Sequence, residues 1–122
     1  MAEFSLALNE EQEQLKDWVH QFAKDVIRPV AEEWDEREEF PWPVVQEAAK
    51  IGLYGFDFIA NAMMNDPTGL TMPIAIEELF WGDAGIGLSI MGSGLAAAGI
   101  AGNGTPEQMI AWVPQCYGTA DD

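Results

Sequence analysis

The stretch from Asn9 to Trp34, NEEQEQLKDWVHQFAKDVIRPVAEEW, decides the fold class. Leu15, Trp18, Val19, Phe22, Val26, Ile27, Val30 and Trp34 step by three and four, so they form one stripe along a helix, with Glu13, Lys16, Asp17, Lys24 and Asp25 facing water. Asn9 precedes the first turn and Gln12 follows three residues later, a capping-box pattern that sets the helix start. Pro29 has no amide to donate, so the helix must kink or restart there.

Outward from this stretch the same period recurs. The charged run Glu32 to Glu39 reads as a solvated helix end, followed by a turn at Phe40-Pro41-Trp42-Pro43. A second helix is expected over about Trp42 to Lys50, with Gly52 as its stop. Residues 55–70 read as a loop, with turn chemistry at Asn65 to Gly69. A third helix is expected over about Thr71 to Trp81 and a fourth over about Ala84 to Ala101, with Asp83 as its cap. Thr105-Pro106-Glu107-Gln108 opens a fifth, which should end before Pro114. No alternating strand pattern, repeat or linker interrupts this order. The expectation is therefore all-α: an antiparallel bundle of about five helices, with 1–122 as one domain.

Charge narrows the function classes. The chain carries 21 acidic and five basic residues, a net charge of -16, which repels nucleic acid and anionic lipid. The basic residues are Lys16, Lys24, Arg28, Arg37 and Lys50, so positions 51–122 contain no Lys or Arg. A tight polyphosphate site recruits such cations, and any nucleotide or coenzyme A site must be completed from elsewhere. Cys116 stands alone, which excludes an intrachain disulfide and points either to a reducing compartment or to indifference to redox setting; no secretory leader precedes the acidic stretch, so a cytoplasmic address is expected. One His and one Cys make no nitrogen/sulfur metal site.

The segment from Ala84 to Pro106 holds 23 uncharged residues, long enough to raise the question of a membrane helix. Seven of them are Gly and no basic flank sets an orientation, so a buried helix in a soluble bundle fits better than membrane insertion. Two readings of its small residues stay open. Gly87, Gly92, Gly94 and Gly99 either keep a buried helix thin, or clear space for a ligand with Leu88, Met91 and Leu95 as its apolar wall. Glu77 and Glu78 are adjacent carboxylates; a general base would need one of them buried, whereas the plainer arrangement has one in water and one accepting a local hydrogen bond.

A resemblance runs along nearly the whole chain. Leu8-Asn9-Glu10-Glu11-Gln12, Phe22-Ala23, Ile27-x-Pro29-x-Ala31-x-x-Trp34-Asp35, Phe40-Pro41 and Ile51-Gly52-Leu53-x-Gly55 are followed by Gly69-Leu70, Ala75-Ile76-Glu77-Glu78-Leu79 and Asp83. Gly102-x-Gly104-Thr105-x-Glu107-Gln108 and Trp112-Val113-Pro114 complete the order, which resembles the amino-terminal α-domain of acyl-CoA dehydrogenases. The resemblance implies a parent subunit with a middle β-domain and a carboxy-terminal helical bundle, FAD bound between domains of a homotetramer or dimer, an acyl-CoA substrate and an electron-transfer acceptor. In most such enzymes a glutamate of the carboxy-terminal bundle takes the proton beside the thioester while hydride leaves for the flavin. No position here corresponds to that glutamate, so no catalytic or cofactor-binding residue is expected in this chain, and the chain alone should be inert without bound FAD. The family's uncharged helix lines the acyl pocket, which implies Gly87, Leu88, Met91, Gly92 and Leu95 as the substrate-facing positions. Two departures stand out: residues 59–68 lack the family's Tyr and Gly-Gly, and its Glu-Gln-Lys ends here in Met109. A stand-alone helical interaction module is the alternative reading.

Overall fold

The computed structural model describes residues 5–117, and every regular element among them is helical. Helix α1 spans Glu10–Phe22, runs into a π-helical turn at Ala23–Ile27 and a 3-10 turn at Arg28–Val30, and resumes as α2 over Ala31–Arg37. Helices α3 (Trp42–Lys50), α4 (Phe56–Met64), α5 (Thr71–Gly82), α6 (Ala84–Met91), α7 (Ser93–Asn103) and α8 (Pro106–Trp112) follow. The all-α class is as expected, and the expected capping devices are in place. Asn9 and Gln12 form a reciprocal capping box on α1, Thr105 and Gln108 another on α8, and Asp83 accepts the amide of Ile86 at the start of α6. Gly52, at φ 84°, follows α3 in the left-handed region, where the amides of Leu53 and Gly52 donate to the carbonyls of Ala48 and Ala49. That crossed pair is a Schellman stop, and Gly adopts its φ without steric cost.

Pro29 acts as expected, and the adjustment begins before it. The amide of Arg28 reaches back to the carbonyl of Ala23, one residue further than in an α-helix. This wide turn precedes the position where the proline ring would clash with the preceding helical turn.

One expectation fails. Residues 56–64 form a helix where a loop was read, because Phe58, Ile59, Ala62 and the adjoining apolar residues turn a face inward, with Ala62 buried, and α4 packs on α5. The signal was obscured by Asp57 and Asn61, which lie on the outer side. The expected turn after it is present. Asp66 organises it by accepting the Thr68 hydroxyl at 2.6 Å, the Thr68 amide at 2.8 Å and the Thr71 amide at 2.8 Å. Asp66 thus serves one of the free amides at the start of α5 from five residues away. Gln12, itself buried, donates to the Thr68 hydroxyl at 2.7 Å and ties this turn to the start of α1.

The core lies between α1, α3, α5 and α6. Val19, Phe22, Ala23, Ile27, Val44, Val45, Ala48, Leu53, Ala75, Leu79, Ile86 and Ile90 make it up. The central seam joins α1 to α5, which run in the same direction: Gln12 meets Thr68, His20 meets Glu78, and Ala23 and Ile27 meet Gly82. The parallel sense follows from α3 and α4, which intervene and carry the chain back. At the end of the seam a Cβ on Gly82 would lie 3.0 Å from both Ala23 Cβ and Ile27 Cγ2, so Gly82 permits the close approach of α5 to the π-helical turn.

Two stability predictions follow from this geometry. Leu79 is fully buried, so Leu79→Ala should cost about 2–5 kcal/mol in urea titrations. Asp66 is held well below the usual carboxylate range, first by the Thr68 hydroxyl and then by the Thr71 amide. A carboxylate with a depressed folded-state pKa stabilises the fold above its unfolded pKa, and that contribution is lost as pH falls through the folded value. Asp66→Asn should therefore melt below the parent at pH 7, and the gap should close as the medium is acidified below about pH 4, the ordinary carboxylate range.

Candidate functional site

The uncharged segment splits into two helices in one continuous run, Ala84–Asn103. Its two halves sit differently. Helix α6 is anchored, with Ile86, Gly87 and Ile90 buried, whereas α7 buries only Ala97. The expectation of a buried helix thus holds for the first half and is corrected for the second. The run is long and apolar enough to cross a membrane by length and composition, yet only 22% of it is buried within the chain. The small residues Gly94, Ala96 and Gly99 make α7 too slight to contribute much to a core of its own.

The five positions expected to face a substrate lie along this run. At about 3.6 residues per turn, Leu88, Met91, Gly92 and Leu95 share one side of it. Leu88 is 54% exposed and Leu95 75% exposed, so both stand on an open surface. Met91 is half-buried and packs against the core, and Gly92 is half-buried at the junction of α6 and α7. Gly87 lies at the boundary between this stripe and the core-facing Ile86 and Ile90. It is buried beneath Phe80: a Cβ on Gly87 would lie 2.8 Å from Phe80 Cδ2 and 3.1 Å from Cε2. Four positions therefore form an accessible apolar strip, and the fifth is covered by an aromatic ring.

The carboxylate pair divides into one member in water and one buried, but the buried member's hydrogen bond is not local. Glu77 is exposed, whereas Glu78 is 8% exposed and its Oε2 lies 2.6 Å from His20 Nδ1. His20, the one histidine of the chain, is 58 residues from this partner in sequence. The imidazole also stacks on Trp81 with ring centroids 4.1 Å apart, and the Arg28 guanidinium lies 4.5 Å from the Trp81 ring on a bond to the Trp81 carbonyl. The pair joins α1 to α5 and is spent on packing. A buried carboxylate with a hydrogen-bond partner is the arrangement that keeps its burial tolerable.

Other cations are engaged locally. Arg37 bonds Glu33 and Glu39 while lying over Trp34, and Lys50 bonds Glu47. The guanidinium of Arg37 is raised above its ordinary pKa by those two carboxylates, Glu39 first. Lys16 and Lys24 lie exposed on the α1 side, remote in sequence from the apolar strip. A flavin diphosphate thus does not fit a site made from these residues alone, since no set of cations converges among the described residues. Nor do three or more His, Cys, Asp or Glu side chains gather into a metal site among them. Tyr117 packs edge-on against Tyr54, and burial raises its phenol above the ordinary range.

Comparison with known proteins identifies the family of the chain. The family model described as "Acyl-CoA dehydrogenase, N-terminal domain" matches residues 9–118. A probable medium-chain specific acyl-CoA dehydrogenase 2 of Caenorhabditis briggsae, named as mitochondrial, is 33% identical over 106 residues, covering 87% of this chain and 26% of the relative. Isobutyryl-CoA dehydrogenase of Dictyostelium discoideum, also named as mitochondrial, is 32% identical over 110 residues, covering 90% of this chain and 26% of that protein. The short-chain specific acyl-CoA dehydrogenase of Clostridium acetobutylicum is 36% identical over 103 residues, 83% of this chain and 27% of the relative. The chain spans about a quarter of the length of these relatives. Its helical order, its caps and this match over nearly its full length place it in the acyl-CoA dehydrogenase N-terminal domain family.

Proposed function

We propose that this chain is the amino-terminal domain of an FAD-dependent acyl-CoA dehydrogenase, an oxidoreductase that converts an acyl-CoA thioester to its enoyl-CoA. Within it the chain supplies one apolar wall of the acyl pocket, through Gly87, Leu88, Met91, Gly92 and Leu95. The observation that carries this reading is the exposed strip of Leu88 and Leu95 on a helix without a single charge, anchored to the core at its other side. An exposed apolar strip of that kind suits a surface completed by other parts of a larger protein. FAD, when bound, accepts the hydride, and the residues that would hold it and the base that takes the proton belong to the remaining three-quarters of the polypeptide. The 122-residue chain alone is therefore inert.

The same reading carries a homo-oligomer and an electron-transfer acceptor as partners of the complete enzyme. For the compartment we propose the cytoplasm. Two relatives carry mitochondrial names, and cell fractionation decides between the two addresses. The alternative, a stand-alone helical interaction module, draws on a second exposed group, Ile110 and Trp112 on α8. A reading frame that continues into a β-rich segment ends that alternative.

Two measurements test the proposal. The purified chain, mixed with FAD and acyl-CoA, should retain no stoichiometric flavin and bleach none, whereas the complete polypeptide should do both; flavin reduction by the chain alone overturns the inertness. In the complete enzyme Leu95→Glu should raise the KM for acyl-CoA by at least about tenfold, because a carboxylate would be desolvated against the acyl chain. The same substitution should leave the melting temperature of the 122-residue chain nearly unchanged, since Leu95 is exposed there.

A further inference from the structure

The names of the relatives range over medium-chain, isobutyryl and short-chain substrates, so membership of the family leaves the acyl group open. The contact between α5 and α6 addresses that question. Resting on the acyl-wall reading above, we infer that Phe80 closes the acyl pocket at the Gly87 end of the strip and thereby restricts the substrate to short acyl chains.

Three features carry this. Phe80 comes from α5, outside the strip, and its ring lies so close over Gly87 that only a residue without a Cβ fits beneath it. The glycine is thus matched to the ring, and the space it frees is already filled. Next, Phe80 remains 38% exposed, so the ring over Gly87, the amino-terminal position of the strip, is not enclosed by the rest of the domain. Last, the neighbouring positions differ in kind: Leu88 and Leu95 offer open apolar surface, and Met91, half-buried beside them, is a flexible side chain that adapts to a guest. An acyl chain lying along Leu95, Leu88 and Met91 therefore meets this aromatic ring on reaching Gly87. Phe80 acts here as a specificity-determining residue, with no part in bond making.

The experiment uses the complete flavoenzyme and a homologous series of straight-chain acyl-CoA thioesters, read as kcat/KM against chain length. Phe80→Ala opens the stop, and the ratio of kcat/KM for longer to shorter substrates should rise by at least about tenfold, the discrimination ordinarily set by a methylene or more in an apolar pocket. Phe80→Leu, a milder change that keeps an apolar side chain at this position if the alanine variant fails to fold, should move the same ratio in the same direction by about threefold, part of that tenfold range. The gain should appear mainly as a lower KM for long chains, which a general loosening of the fold does not produce. An unchanged ratio in the folded variants overturns the inference. The Leu95→Glu variant separates the two levels: if it raises KM while the Phe80 variants keep the parental profile, the wall stands and the stop fails. If Leu95→Glu leaves KM unaltered, the wall reading itself fails.

Discussion

The close approach of α5 to α1 and its π-helical turn is the constraint on which the remaining helices depend. At one end the buried Gln12 links the two helix starts through Thr68; at the other Gly82 lets α5 come within contact of Ala23 and Ile27. Between them Leu79 and Val19 are excluded from water, and Glu78 meets His20 across the seam. Polar contacts at fixed points and apolar burial between them fix both the register and the separation of the two helices. Non-directional burial alone would leave the register free. The π-helical turn belongs to the same constraint, since it carries Ala23 and Ile27 to the glycine while easing the chain toward Pro29.

Much of this was legible in the sequence because it is written locally. The caps at Asn9, Asp83 and Thr105 depend on residues within three positions, and the stop at Gly52 depends on a single backbone angle. Helix α4 was missed for the same reason: its polar residues Asp57 and Asn61 and the Asn-Asp-Pro turn beyond it read locally as loop, and its helical state is secured by packing on α5. His20 and Glu78 show the limit most plainly. Each is unremarkable among its neighbours in sequence, and only the parallel seam brings them together over 58 residues. In the candidate site the five strip positions came from a family resemblance; the ring of Phe80 over Gly87 is a tertiary contact that no spacing announces.

Charge and packing divide the chain in the same place. All five Lys and Arg residues lie within the first 50 positions, where several are paired locally with carboxylates of α2 and α3 or held against Trp81. Beyond them the chain has no long cation, and a helix without charge crosses from the core to the surface. A strongly acidic surface repels polyanions, so an uncharged strip on it is suited to an apolar guest and poorly suited to that guest's phosphates.

The gradient of burial along residues 84–103 gives the strip its mechanical character. Ile86 and Ile90 lock α6 into the core, and the Asp83 side chain fixes its first turn. Past Gly92 the helix buries only Ala97, with the Ser93 hydroxyl 3.1 Å from that of Tyr54 at its start. A wall on α6 is thus pre-set by the same side chains that stabilise the domain, while its continuation on α7 depends on whatever packs over Leu95. Sites built on rigid elements hold their geometry without being ordered by the ligand. Gly87 lies at the anchored end, beneath Phe80, and Leu95 at the end that the core leaves open.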